Sequence, residues 1–418
     1  MNPSVPPPAS LQTVAQSTAQ PSARPFPPAR RIASEAEALE IAARLADRFA
    51  ARGAEIDAAG ILPADVVDEF SGSGLWSITI PSEYGGLGAS TGTLVEVIAR
   101  ISAADPSLGQ IPQNHFCLVE DVNLSGTAEQ KRFFFDLILD GARTANAFSE
   151  AGGKTAADIS TRILRDGDSY VVNGRKFYAT GTAYAHWIPV LGVDGEGREL
   201  LAFAPADADG LHVVGDWDAF GQRATASGSV VLTDLHIPAS HVFPMYREYE
   251  EPTIAGPLAQ ITTAAIDLGI ARGAFAATLE AVRASRPWID ANVDAATADP
   301  LTLSELGRLD IDITAADALL QRAAVVLDQA RAHSTEDSVA AASVAVARAK
   351  VLTTEAALAA GSKLNELGGT RSTVGGKRLD RFWRNARVHT LHDPVRWKFH
   401  LVGNYVLNGV RPARHSWN

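Results

Sequence analysis

Residues 143–236 change the rhythm of the chain, and that change limits the folds open to it. Before them, apolar residues recur at helical spacing. Within them, short β-prone runs occupy 143–149, 160–165, 169–172, 175–180, 187–193, 199–204, 211–215 and 228–236. After Pro252 the helical spacing returns. Turn residues separate the runs: Asp166-Gly167-Asp168, Asn173-Gly174 and Asp194-Gly195. Asn-Gly between two such runs is a strong hairpin signal. The order predicts an α+β protein with an N-terminal helical domain over 34–142, a central antiparallel β-domain over 143–240 and a C-terminal four-helix bundle over 241–418.

Ser34 followed by Glu37 forms a capping box that starts the first helix. Helices are expected over 63–73, 90–104, 108–124 and 127–139, then over 253–288, 301–333, 336–367 and 379–408. Residues 1–33 hold eight prolines among Ala, Ser and Gln and are expected to be a disordered tail, because they cannot bury enough apolar surface to offset ordering. They contain no apolar signal segment, and Arg30-Arg31 leads into a charged helix, so a cytoplasmic location is expected.

The net charge of −11 disfavours binding to nucleic-acid phosphates, and no apolar run reaches membrane-spanning length. The single cysteine, Cys117, excludes an internal disulfide and is expected to be a buried core thiol. No Gly-x-Gly-x-x-Gly follows a strand, so no Rossmann NAD(P) site is indicated. Gly153-Lys154-Thr155 resembles the end of a phosphate-binding loop, but Phe148 stands where its first glycine belongs. His389 and His392 sit three apart on an expected helix, beside Asp393. With no third or fourth ligand evident, a non-metal active-site role is favoured over a metal site, with structural histidines as the alternative.

Ordered motifs then carry a resemblance. Ile80-Pro81-Ser82-Glu83-Tyr84-Gly85-Gly86, Ala147-Phe148-Ser149-Glu150-Ala151-Gly152, Lys176-Phe177-Tyr178-Ala179-Thr180-Gly181, the run from Gly228 to Pro238, and Leu367-Gly368-Gly369 resemble, in order, motifs of the acyl-CoA dehydrogenases. The run from Arg381 to Pro394 resembles the C-terminal segment of dibenzothiophene monooxygenases and of SfnB-type sulfur-acquisition oxidoreductases, and Ser285-Arg286-Pro287-Trp288 fits that branch.

The resemblance implies a flavin ring lined by Asn146, Phe148, Ser149, Glu150, Ala151, Lys176, Tyr178 and Thr180, with Thr180 and Ser149 bonding its edge and Tyr178 or Phe148 packing on its face. It implies Arg286 at the flavin phosphate, and Gly369, Thr370 and Arg371 meeting the cofactor of a neighbouring subunit in a homotetramer. Dehydrogenases of the family carry a base glutamate near the C-terminus; here Asp393 takes that place, one methylene shorter, and His392 precedes it. Where dibenzothiophene monooxygenases place a His and a Tyr before the flavin, this chain has Gln110 and Asn114, with His115 adjacent.

The implied activity is a monooxygenase that uses oxygen, through a flavin C4a-hydroperoxide, on a small organosulfur substrate. FMN would arrive reduced from a separate NAD(P)H flavin reductase. Its catalytic residues would be His392, Asp393, His389, Asn114 and Gln110. Two alternatives stay open: an FAD-dependent acyl-CoA dehydrogenase using Asp393 as base, and a non-catalytic flavin-binding or scaffold protein.

Overall fold

The computed structural model describes residues 26, 28–155, 157–415 and 417–418, so the disorder expected over 1–33 falls largely outside the described residues. The N-terminal part holds helices α1 (Glu35–Ala50), α2 (Gly53–Ala59), α3 (Ala64–Gly72), α4 (Thr91–Ala104), α5 (Pro106–Ser125) and α6 (Ala128–Leu139). Ser34 caps α1 by accepting from the Glu37 N–H at 3.2 Å. The Glu37 carboxylate reaches back one residue further than a capping box requires, to the Ala33 N–H at 2.8 Å. Asp105 caps α5, accepting from Ser107 and Leu108 N–H at 2.8 and 3.2 Å, with Pro106 in the first turn where its missing N–H costs nothing.

The middle is a sheet of β1 (Arg162–Asp166), β2 (Ser169–Lys176), β3 (Trp187–Val193), β4 (Glu199–Pro205), β5 (Leu211–Val214), β6 (Ser229–Pro238) and β7 (Val242–Phe243). Its order is β5-β6-β2-β1-β3-β4-β7. All pairings are antiparallel except β1 with β3, where Arg162 lies opposite Val193 in parallel. The run at 143–149 forms no strand; it touches β3 only through isolated parallel bridges, Thr144 to Trp187 and Ala147 to Val190.

Asn173-Gly174 is not the expected hairpin turn. It lies inside β2 at a register shift, and the tight turn is Gly167-Asp168, where Asp166 pairs with Ser169. Asn173 instead exchanges two hydrogen bonds with Asp234 of β6, at 3.0 and 2.8 Å. Position 174 needs a glycine because a Cβ there would come within 2.3 Å of Thr161 Oγ1.

The C-terminal part holds α7 (Ala255–Arg283), α8 (Pro300–Ala332), α9 (Glu336–Gly368), α10 (Asp380–His389) and α11 (Arg396–Asn408). The helix expected over 379–408 is therefore two helices. Pro394 has no N–H to continue the ladder and disfavours helical geometry at Asp393. The break places His392 and Asp393 in the turn between α10 and α11 instead of on a helix face. Helix α7 packs against α4 and α9 and buries Ile261, Ala264, Ala265, Leu268 and Ala271 completely. Among the described residues no helix is long and apolar enough to cross a membrane.

Candidate active site

The loop leaving β2 lies beside the 146–150 segment. Phe177 N–H donates to Ser149 O at 2.9 Å, and Asn146 N–H to Thr180 O at 3.1 Å. Asn146 Oδ1 accepts from Phe148 N–H at 3.1 Å, closing a local turn. Lys176, wholly buried, donates to Glu150 Oε1 at 2.7 Å and to Phe148 O at 3.0 Å. Glu150 also accepts from Ser160 N–H at 2.8 Å, from the Ser160 hydroxyl, and from Thr161 N–H and Oγ1 at 3.0 and 2.7 Å. Burial alone would raise this carboxyl, but these donors outweigh it and bring it down to about 2. Glu150 and Lys176 thus hold the shape of the loop, and Ala151 opens an exposed stretch after it.

Tyr178 has φ +57, a left-handed conformation costly for a non-glycine residue, and its ring is half exposed against Phe177 and Trp217. Gln222 and Ala226 share that conformation, at φ +49 and +48. Between these strained positions runs a chain of hydroxyls. Thr180 Oγ1 is 2.8 Å from Ser227 Oγ, Ser227 is 2.7 Å from Thr225 Oγ1, and Thr225 donates to Gln222 O at 2.9 Å. Helix α5 approaches the same loop: a Cβ on Gly181 would sit 3.2 Å from Ile111 Cγ2.

Gln110 and Asn114 are one turn apart on α5, and Gln110 Oε1 is buried with no hydrogen-bond partner among the described residues. His115 faces the core instead. Its Nδ1 is 2.8 Å from Thr144 Oγ1 and its Nε2 2.9 Å from Trp76 O, and burial lowers it to about 4. Cys117 is a free thiol, partly buried, with Gln113 Nε2 3.5 Å from its sulfur; burial raises its pKa.

The two C-terminal histidines occupy different settings. His389 ends α10 in the core, with Nδ1 2.5 Å from Asp267 Oδ1. The other Asp267 oxygen accepts from Lys350 Nζ at 3.0 Å and Thr354 Oγ1 at 2.8 Å. Burial would raise Asp267, but Lys350 and His389 outweigh it and hold the carboxyl well below the usual range. His392 lines a cavity of 510 Å³ together with Asp393, Trp397 and Lys398. His392 itself is exposed. The protein packed behind it and the nearby His389 bring it down to about 4. Asp393 is buried; its Oδ2 lies 3.5 Å from Lys398 Nζ and its Oδ1 has no partner among the described residues.

Arg286, exposed, follows the end of α7. Arg371 Nη1 donates to Ala284 O at 2.9 Å, which brings Gly369, Thr370 and Arg371 to the same end. Gly369, at φ +62 and ψ −163, lies where only glycine is at ease. From Asp267 to Arg283 the helix runs roughly 24 Å at 1.5 Å per residue, so these arginines and His389 sit far apart along one subunit.

Residues 34–142 match the family model of the acyl-CoA dehydrogenase N-terminal domain, and residues 261–397 that of the C-terminal domain. Dibenzothiophene monooxygenase of Rhodococcus qingshengii is 35% identical over 404 residues, covering 91% of this chain and 96% of its own. The chain belongs to the monooxygenase branch of the acyl-CoA dehydrogenase family. FMN-bound TdsC from Paenibacillus sp. A11-2 superposes with a TM-score of 0.87 at 33% identity, covering 91% of this chain and 100% of that one. Methanesulfinate monooxygenase MsuC from Pseudomonas fluorescens does so with 0.86 at 29% identity, covering 91% and 99%.

In this member of the family, sequence reasoning missed Thr225, Ser227, Asp267 and Lys350. The hydroxyls carry no local signal, since Thr and Ser are ordinary before a strand. The last two did: Asp267 and Lys350 are the only charged residues on the buried faces of α7 and α9, where a charge needs a partner.

Proposed function

We propose that this chain is a reduced-FMN monooxygenase that adds one atom of dioxygen to the sulfur of a small, polar organosulfur compound. The observation that carries this is the turn at Pro394. It ends α10 so that His392 and Asp393 line one cavity, at the position where the resemblance puts the dehydrogenases' base, with Asp393 buried beside Lys398. Asp393 is one methylene shorter than the family's base glutamate, and a base must lie within hydrogen-bond reach of the proton it removes. Gln110 and Asn114 on α5 are polar, which favours a small sulfinate, whose sulfur still carries a lone pair for the added oxygen, over a flat aromatic substrate.

The residues present fit an FMN. Phe148 and the half-exposed Tyr178 ring offer flat surfaces, Thr180 and Ser227 offer hydroxyls, and Arg286 and Arg371 offer cations suited to a phosphate. When bound, reduced FMN supplies the two electrons that activate oxygen. His392, which lines the cavity and is neutral at pH 7, would exchange a hydrogen bond with the oxygen being transferred. Because Arg286 and Arg371 lie too far from His389 for one mononucleotide to bridge, a second copy supplies the phosphate site, in a homotetramer. With no NAD(P) fingerprint, a separate cytoplasmic reductase delivers FMNH2.

The test supplies photoreduced FMN, air and methanesulfinate, and follows product, oxygen and hydrogen peroxide. His392→Ala should lower product per oxygen consumed and raise peroxide, with FMN affinity unchanged. Unchanged coupling would refute the role of His392. Acyl-CoA-dependent flavin bleaching that Asp393→Asn abolishes would establish the dehydrogenase instead. Rapid NADH oxidation by the purified chain with FMN would remove the need for a reductase.

A further inference from the structure

We propose that a chain of buried hydroxyls makes Thr180 a hydrogen-bond acceptor, so that its loop selects reduced over oxidised FMN, a role that rests on Thr180 meeting the flavin edge as proposed above. Thr180, Ser227 and Thr225 are each at most 6% exposed, so their hydroxyls need partners inside the protein. Three contacts supply them: Thr180 Oγ1 to Ser227 Oγ at 2.8 Å, Ser227 Oγ to Thr225 Oγ1 at 2.7 Å, and Thr225 Oγ1 to Gln222 O at 2.9 Å. The backbone clamps the two loops on either side of Thr180. Ala179 N–H donates to Gly228 O at 3.1 Å, and Gly181 N–H to Thr225 O at 2.9 Å.

The direction of the chain follows from its inner end. A carbonyl oxygen cannot donate, so Thr225 gives its one hydroxyl hydrogen to Gln222 O. Ser227 then donates to Thr225, and Thr180 to Ser227. The opposite direction would set two acceptors, Thr225 Oγ1 and Gln222 O, against each other at 2.9 Å. Gln222 is held too firmly to turn away. Its N–H donates to Asn385 Oδ1 of α10 at 2.7 Å, its carbonyl also accepts from Trp217 Nε1 at 2.9 Å, and it is buried at φ +49. Left-handed backbone at Tyr178, Gln222 and Ala226 brackets the chain, and such strain persists where the surrounding structure enforces it.

Thr180 therefore spends its hydrogen inward and keeps only a lone pair for a ligand. Along the polar edge of a flavin, N3–H donates and the two carbonyls accept in both redox states. N5 differs: it accepts in the oxidised ring and carries a hydrogen in the reduced one. A fixed acceptor at N5 bonds the reduced ring and opposes a lone pair of the oxidised one. Ser227 and Thr225 are thus positioning residues, which act by setting where Thr180 points its hydrogen. Such selection suits an enzyme that takes up its flavin reduced and releases it oxidised.

Thr225→Val is the direct test, since it removes the inner acceptor with little change of shape. Ser227 would then donate to Thr180, and Thr180 outward. The ratio of the Kd for FMN to the Kd for FMNH2, titrated without oxygen, should fall about tenfold. The midpoint potential of the bound flavin should fall with it by about 30 mV, the two-electron equivalent of that ratio. Thr225→Ser keeps the hydroxyl and should retain the wild-type ratio.

Ser227→Ala breaks the chain one link further out and covers the case in which Thr225→Val does not fold. It frees the Thr180 hydrogen and should shift the ratio and the potential in the same direction. A folded Thr225→Val or Ser227→Ala protein with the wild-type ratio and potential would overturn the role of the chain. Thr180→Val separates that role from the reading beneath it. If Thr180→Val weakens FMNH2 binding while the two inner variants leave the ratio unchanged, only the role of the chain falls. If Thr180→Val alters binding of neither FMN nor FMNH2, the placement of the flavin at Thr180 falls first, and the chain's role with it.

Discussion

Replacing Lys176 by Met tests whether the buried pair with Glu150 shapes the loop proposed to hold the flavin. Lys176 is fully buried and donates at 2.7 Å to Glu150 and at 3.0 Å to Phe148 O. Removing one partner of a buried pair costs about 3–5 kcal/mol when the other charge is left alone. Glu150 is not left alone, because Ser160 and Thr161 still donate to it, and the apolar methionine avoids the cost of burying an ammonium.

The titration of Glu150 gives a second measure. Its folded value of about 2 against 4.5 corresponds to about 3 kcal/mol at neutral pH. The loop lies near the surface, so screening by water reduces this, and a loss of about 2 kcal/mol is expected. A carboxyl with a lowered folded value stabilises above its unfolded value, and that stability disappears as pH falls from about 4.5 toward 2. The gap between wild type and Lys176→Met should therefore be full at pH 7 and roughly halved at pH 3. Urea unfolding at both pH values reads the gap, and FMN titration should show weaker binding by the variant. A gap below about 0.5 kcal/mol, or one independent of pH, would refute the role given to the pair.

Burial and nearby carboxylates raise Glu248 to about 8, so its proton is retained in the fold and stability falls as pH rises from about 4.5 to 8. Glu248→Gln should raise Tm at pH 8 and change little at pH 4.5, by differential scanning fluorimetry. Gly174→Ala brings a Cβ within 2.3 Å of Thr161 Oγ1 and should cost about 1–3 kcal/mol, read as a lower Tm. Arg286→Ala should weaken FMN binding by about 1–3 kcal/mol in a fluorescence titration, and unchanged affinity would count against its place at the phosphate.

Much of the fold was legible because periodicity is local. The run at 187–193 is β3 to the residue, the run at 199–204 differs from β4 by one residue, and the helices over 301–333 and 336–367 shift by one residue at most. The loops of the candidate site were legible too, because 146–151 and 176–181 are short continuous segments that a resemblance can carry. Asn173-Gly174 misled because the same dipeptide that favours a turn also suits a crowded strand. Its real determinant is Thr161, which the sequence does not show to be a neighbour.

The break at Pro394 was visible as a proline, yet strong helical spacing on both sides masked it. Only the folded chain shows that the break frees His392 from the face His389 occupies. The deepest part of the site was least legible. Asp267 lies 83 residues from Lys350 and 122 from His389, and no spacing rule links them. Sequence alone determined most of the helices and strands, since those depend on side chains within a few positions of one another. Which charges meet, which histidine faces the cavity and which nitrogen is left without a partner depend on packing between distant helices, because a buried charge is tolerable only where the fold brings it a partner.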